Sequence, residues 1–145
     1  MTYQTEPIKG KLFDDKTFSF PIRVYYEDTD AGGIVYYANY LKFAERARTE
    51  FLRHLGVNQE VMLKEQKQGF VVNECNIKYK TPAKLDDALN ITCKVTELRG
   101  VSLKMIQTLY RNETILAEIE VTLAFLNIDT MRPTRIPQDL ITLLK

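Results

Sequence analysis

Two hydrophobic periods divide the chain. Between Tyr37 and Leu55, apolar or small residues recur at Tyr40, Phe43, Ala44, Ala47, Phe51, Leu52 and Leu55, with Lys42, Glu45, Arg46, Arg48, Glu50 and Arg53 mostly set against them. Recurrence every three to four residues marks an amphipathic helix, so residues 37–55 are predicted to be helical. Gly56 follows as a C-cap, and Arg53 and His54 fall in the last turn, where cations suit the helix dipole. Before this helix, the aromatic and β-branched run Phe18 to Tyr26 reads as a strand, with Pro21 tolerable only near an edge or a bulge. After it, a short helix is expected over 59–68.

The period then becomes two. Val71, Asn73, Cys75, Ile77 and Tyr79 alternate with Val72, Glu74, Asn76, Lys78 and Lys80, and Leu89, Ile91, Cys93 and Val95 alternate with Asn90, Thr92, Lys94 and Thr96. Both runs read as strands with one buried face. Arg99-Gly100 turns the chain into Val101, Leu103 and Met105, and Asn112-Glu113 separates that strand from Ile115, Ala117, Ile119, Val121, Leu123 and Phe125. The last three strands form a meander, and Pro137 to Leu144 reads as a closing helix with Pro at its start. One strand, one long helix and four strands predict an α+β class, an antiparallel sheet of about five strands wrapped around one central helix. A helix of about five turns leaves such a sheet open at its edges. Pairing with a second copy is expected, through the 115–125 strand and the exposed edges.

Length and charge narrow the class further. The chain has 145 residues, 45% hydrophobic and 27% charged, which suits a soluble globular domain over 17–145 preceded by a flexible N-terminal tail over 1–16. Lys and Arg number 20 against 19 Asp and Glu, a net charge of +1 without long runs of one sign, so a dedicated nucleic-acid binder is disfavoured. The first residues lack a signal-peptide pattern, and no apolar stretch reaches about 18 residues. Cys75 and Cys93 both fall in the apolar phase of strands and are expected to be buried, reduced thiols. A cytoplasmic location is therefore expected.

The residues that could carry chemistry are few. His54 is the single histidine and lies at the charged end of the long helix, where a solvated dipole partner is expected. Cys75, Cys93 and His54 are scattered without CxxC or HExxH spacing, so no metal is expected. GxGxxG, GxxxxGK[ST] and GxSxG elements are absent. What remains is Tyr25-Tyr26-Glu27-Asp28-Thr29-Asp30-Ala31-Gly32-Gly33-Ile34-Val35-Tyr36-Tyr37-Ala38-Asn39-Tyr40, with three carboxylates in four positions and two glycines before the helix. A strand-to-helix loop takes Asp and Gly for turns and caps. The helix start also offers unpaired N–H groups and a positive dipole end to a developing oxyanion. An aspartate beside such donors is equipped to attack an acyl carbonyl, or to activate water toward it.

Residues 23–41 and Glu45-Arg46-Ala47-Arg48-Thr49-Glu50 closely resemble the signature of the hot-dog-fold 4-hydroxybenzoyl-CoA thioesterase family. Tyr79-Lys80-Thr81-Pro82-Ala83-Lys84-Leu85-Asp86-Asp87, Leu98-Arg99-Gly100-Val101-Ser102-Leu103 and Arg132-Pro133-Thr134-Arg135-Ile136-Pro137 extend the likeness over residues 18–140, nearest to the Tol-Pal-associated acyl-CoA thioesterase branch. The resemblance implies hydrolysis of acyl-CoA to free acid and CoA, with no cofactor beyond the coenzyme A of the substrate. It makes Asp30 the catalytic carboxylate, as nucleophile or general base, and Asp28 secondary. The oxyanion donor it implies is a main-chain N–H seven positions on, at Tyr37, where some members carry His. Gly33 would let the backbone approach the substrate.

For the CoA phosphates the resemblance points to Arg99, with Lys104, Arg132 and Arg135 behind it. Glu45 occupies the region where distant hot-dog thioesterases place a helix glutamate, and beside Arg46 and Arg48 it reads as an ion-paired helix residue. The implied partners are a second copy, as homodimer or homotetramer, and peripheral envelope proteins. A non-catalytic acyl-binding or CoA-binding module of the same fold is the other reading. A hot-dog hydratase would generally need a histidine in its site, and His54 sits at the wrong end of the helix.

Overall fold

The structure is a computed structural model that describes residues 1–145. Its elements are β1 (Lys11–Leu12), β2 (Phe18–Arg23), a 3-10 turn (Tyr26–Asp28), α1 (Asn39–His54), α2 (Gln59–Glu65), β3 (Gln68–Tyr79), β4 (Ala88–Leu98), β5 (Ser102–Arg111), β6 (Thr114–Asn127), β7 (Arg132–Pro133) and α3 (Gln138–Leu144). One antiparallel sheet runs in the order β1-β2-β4-β5-β6-β3, with β7 on β6. The expected α+β class is what forms: five long strands, two of two residues each, and one long helix. No helix is long and apolar enough to cross a membrane.

The meander β4-β5-β6 follows the predicted turns. Asn112 adopts φ +55° in the two-residue link where Arg111 faces Thr114, a left-handed conformation that Asn tolerates better than most residues. Tyr40, Phe43, Ala44, Ala47, Phe51 and Leu52 of α1 are buried in a core that includes Leu89, Ile91, Met105 and Leu109. The small Ala44 and Ala47 let the helix sit close enough for a polar bridge. Gln107 on β5, fully buried, donates from Nε2 to the Ala44 carbonyl (2.9 Å) and to Cys93 Sγ (3.2 Å), and its Oε1 accepts from Arg48 (2.9 Å). Burial pushes the Cys93 thiol up to about 12.

Several boundaries and burials differ from expectation. Helix α1 begins at Asn39 rather than Tyr37, because the Tyr36 N–H and the Asn39 side chain are both held by the Asp28 carbonyl and delay the first helical turn. It ends at His54, where Gly56 at φ +90° turns the chain and Val57 N–H returns to the Leu52 carbonyl (2.9 Å). The first strand stops at Arg23, short of the 3-10 turn, and α2 stops at Glu65. Within the stretch read as a tail, Lys11 and Leu12 pair with Ser19 and Phe18.

The largest departure is β3, in which no residue is buried. This strand lies at the sheet edge while α1 packs over β2 and β4, so Cys75 is exposed rather than buried. Strand β6 is hydrogen-bonded on both sides, by β5 and β3, and has no free edge for a second copy. The free sheet edge on this side is that of β3.

Gly56 offers a direct check on the helix end, since a Cβ at φ +90° is strained even where space is open. Gly56→Ala is expected to lose about 1 kcal/mol of stability, read as a lower urea midpoint; an unchanged midpoint would mean the turn is unstrained.

Candidate active site

Residues 24–38 carry the chain from β2 to α1. Asp28, 3% exposed, organises them: its Oδ2 accepts from the Tyr25 N–H (2.8 Å), and its carbonyl accepts from the Tyr36 N–H (3.0 Å) and Asn39 Nδ2 (2.9 Å). Its polar contacts are spent within the loop and on Asn39, the first residue of α1.

Asp30, two positions on, is exposed. Its N–H donates to the Ile34 carbonyl (2.9 Å), and its own carbonyl accepts from the Gly33 N–H (3.1 Å). Gly33 has φ +80°, which closes this turn and which only glycine adopts freely. Asp30 Oδ1 accepts from the Gly32 N–H (2.8 Å), and Oδ2 has no protein donor. The turn is propped from behind, where Ile34 bridges Lys84 and the Val35 N–H donates to the Ala83 carbonyl (2.8 Å).

At the far end of the loop the N–H groups of Tyr37 and Ala38 have no acceptor. The peptides around them are held: the Tyr36 carbonyl accepts from Asn39 N–H (2.8 Å), and the Tyr37 carbonyl accepts from the Tyr79 hydroxyl (3.0 Å). Tyr37, Tyr40, Tyr79, Ile34 and Pro82 line a groove of about 250 Å³ beside them. The Tyr79 ring meets Tyr40 and Tyr37 edge-on at 5.2 and 6.3 Å. Burial, followed by the neighbouring Tyr37 and Tyr40, pushes its phenol upward. A carboxylate oxygen without a protein donor and unpaired N–H donors thus lie on one loop, with Tyr37 at the aromatic groove. That arrangement suits acyl transfer.

The structure gathers Asp30, Gly33 and Tyr37 on this loop and leaves Arg99 apart. Tyr79 faces Ala117, which faces Leu109, and the Arg99 turn precedes Ser102, seven residues along β5, a span of about 23 Å at about 3.3 Å per residue. Arg99 pairs there with Glu97 (2.6 Å), which also meets Lys104 (3.8 Å), and the Ile136 N–H donates to the Gly100 carbonyl, bringing Arg135 alongside. Glu45 is exposed on α1 and belongs to no ion pair, contrary to expectation, because Arg48 turns inward to Gln107. His54 is exposed at the helix end, its ring 5.4 Å from that of Phe18. Tyr79 was missed as a site residue, although it ends an alternating strand and opens the family-like run over 79–87.

A model of the thioesterase-like superfamily matches residues 24–144. The chain belongs to this family. Among curated relatives, the acyl-CoA thioesterase YbgC of Haemophilus influenzae is 47% identical over 125 residues, covering 86% of this chain and 92% of the relative. The acyl-CoA thioester hydrolase YbgC of Escherichia coli O157:H7 is 44% identical over the same length, with the same coverage. Among solved structures, a probable thioesterase from Bartonella henselae superposes with a TM-score of 0.78 at 36% identity, covering 82% of this chain and 98% of that one. A 4-hydroxybenzoyl CoA thioesterase variant complexed with 4-hydroxybenzoyl CoA shares the fold at a TM-score of 0.83 and 22% identity, covering 89% and 99% of the two chains. The sheet around a central helix is thus the hot-dog fold.

In this family member the turn behind the loop is held by Asp87, whose Oδ2 accepts from the Lys84 N–H (2.8 Å) and from Arg111 Nη1 (2.7 Å). Burial works to raise the Asp87 carboxyl, but the Lys84 N–H and the Arg111 guanidinium outweigh it and hold the group below 3.8. A carboxylate lowered by folding stabilises above its unfolded value, and that stabilisation is lost as pH falls through the folded value. Asp87→Asn is therefore expected to melt below the parent near neutral pH, with the gap closing as the pH drops beneath 3.8. A gap that stays constant with pH would show that the charge contributes nothing.

Proposed function

We infer that this protein hydrolyses acyl-CoA thioesters to free acid and CoA, with Asp30 as nucleophile or general base and the Tyr37 N–H as oxyanion donor. The observation that carries this reading is the exposed Asp30, one oxygen free, on the same loop as the unpaired Tyr37 and Ala38 N–H groups. The acyl-CoA thioesterase names of relatives at 44–47% identity support the substrate class.

As general base, Asp30 Oδ2 takes a proton from water while the water oxygen attacks the thioester carbonyl. As nucleophile it bonds to the carbonyl carbon directly and forms a mixed anhydride that water then opens. In either route the carbonyl oxygen gains negative charge toward the Tyr37 N–H. The carbon–sulfur bond then breaks with CoA leaving as thiolate, a group stable enough near neutral pH to depart without a strong acid. Asp28 takes no part in this chemistry, because it is buried and bonded to the loop.

A homodimer or homotetramer joined through β3 completes this reading. Supporting it, Tyr25, Tyr26, Tyr36 and Tyr37 are all exposed around the loop, and Val72 on the free edge is 51% exposed, an apolar margin of the kind that marks association sites. Arg99, at the other end of the sheet, would serve the CoA phosphates of a substrate bound by a neighbouring copy. Membership of the Tol-Pal-associated branch and peripheral association with envelope proteins rest on the motif likeness, and a cytoplasmic location on the free thiols Cys75 and Cys93.

Free-thiol release from a panel of acyl-CoAs tests the activity, since a binding module would show affinity without turnover. Asn keeps the side-chain oxygen that accepts from Gly32, so Asp30→Asn should fold with stability within about 1 kcal/mol of the parent. Its turnover should fall about 100- to 10,000-fold; near-parental turnover would make Asp30 a turn residue and overturn the mechanism. Light scattering is expected to give a dimer or a larger even assembly at micromolar concentration, and an active monomer would overturn the β3 contact.

A further inference from the structure

We propose that Tyr79 is a positioning residue for this reaction, its hydroxyl setting the direction of the 37–38 peptide, which presents the Ala38 N–H next to the Tyr37 oxyanion donor. The inference rests on the Tyr37 reading above. The peptide unit is planar and trans, so the carbonyl and N–H of one unit point in opposite directions. The unit containing the Tyr37 N–H is fixed by its own carbonyl, that of Tyr36, which accepts from Asn39. The next unit, containing the Ala38 N–H, is fixed by the Tyr37 carbonyl, and its protein partner is the Tyr79 hydroxyl at 3.0 Å.

That hydroxyl is the link between the loop and the sheet edge. Residue 37 precedes α1 and lies outside the regular ladder of helical hydrogen bonds. Without Tyr79 its carbonyl would have only water to accept from, and the 37–38 peptide could rotate. The ring is held as well as the hydroxyl, edge-on against Tyr40, whose own hydroxyl accepts from the Ala83 N–H (3.0 Å). Tyr79 therefore reaches the loop from a braced position, and its upward-shifted phenol keeps its proton at neutral pH. Aim matters here because an oxyanion donor acts only when it points at the place where charge develops, and small misplacements cost rate steeply.

The test is Tyr79→Phe, which keeps the ring and removes only the hydroxyl, assayed beside Asp30→Asn on the same acyl-CoA. The expected result is a kcat lowered about tenfold, KM within about twofold and a melting temperature close to the parent's. Tyr79→Leu, which removes the ring too, should lower kcat at least as far. A parental kcat for Tyr79→Phe with Asp30→Asn inactive would overturn the positioning role while leaving the site intact. A raised KM at unchanged kcat would overturn it as well, making Tyr79 a substrate contact. Near-parental turnover in Asp30→Asn would instead overturn the reading of the site itself, whatever Tyr79→Phe does.

Discussion

A single long helix has to cover a sheet of five long strands, and the rest of the structure follows from how that shortage is resolved. Helix α1 packs on the β2 and β4 side, where its six buried side chains join the hydrophobic core. Its position is fixed by more than apolar contact. The buried Gln107 joins the helix carbonyl of Ala44, the Cys93 thiol and the Arg48 guanidinium, and no buried side-chain polar atom lacks a partner. Sliding α1 along the sheet would strand these groups at about 1–3 kcal/mol each. The helix start, and with it Tyr37, is therefore located by the core rather than by the loop alone.

Two aspartates separated by one residue show how the loop converts that fixed helix start into a site. Asp28 faces inward, where its carboxylate closes the 3-10 turn and its carbonyl collects the Tyr36 and Asn39 donors. Asp30 lies beyond that turn, on a tight reversal that Gly33 makes possible at φ +80°. Had both carboxylates been exposed, the loop would lose its internal anchor. Had both been buried, Glu27 would be the carboxylate left at the surface of this loop. The division gives a rigid loop and one oxygen free to react.

Much of this is legible in the sequence because it is local. The helical period, the Gly56 cap and the Asn112-Glu113 turn are set by neighbouring residues, and they recur in the structure. The density of Asp and Gly over 28–33 likewise marks the loop before any fold is known. What alternation cannot tell is whether anything covers the face it defines, which is why one face of β3 was expected to be buried and no residue of the strand is, with Cys75 exposed. The start of α1 was displaced by a tertiary acceptor, the Asp28 carbonyl, 11 residues from Asn39. The Tyr79 contact spans 42 residues, and no spacing rule reaches that far. Arg48 looked like a partner for Glu45 until the core supplied Gln107 as a better one.

The uncovered edge and the site belong to one problem. An oxyanion hole works best where water is excluded, since its dipoles act more strongly in a low dielectric. Yet Tyr37 is 63% exposed and Asp30 lies open in the single chain. The chain holds the loop through Asp28, Gly33 and the braced Tyr79, but α1 packs mainly on β2 and β4 and leaves Asp30 and Tyr37 open. The residue that spans the two regions is Tyr79, which ends the free edge strand and bonds to the loop. A second copy laid along β3 would cover that strand and the exposed tyrosines together, drying the site by the same contact that satisfies the open sheet edge. In the proposed assembly the shortage of helix would tie catalysis to association: a protein whose own elements buried one face of β3 could keep the site dry as a monomer, and here no residue of β3 is buried.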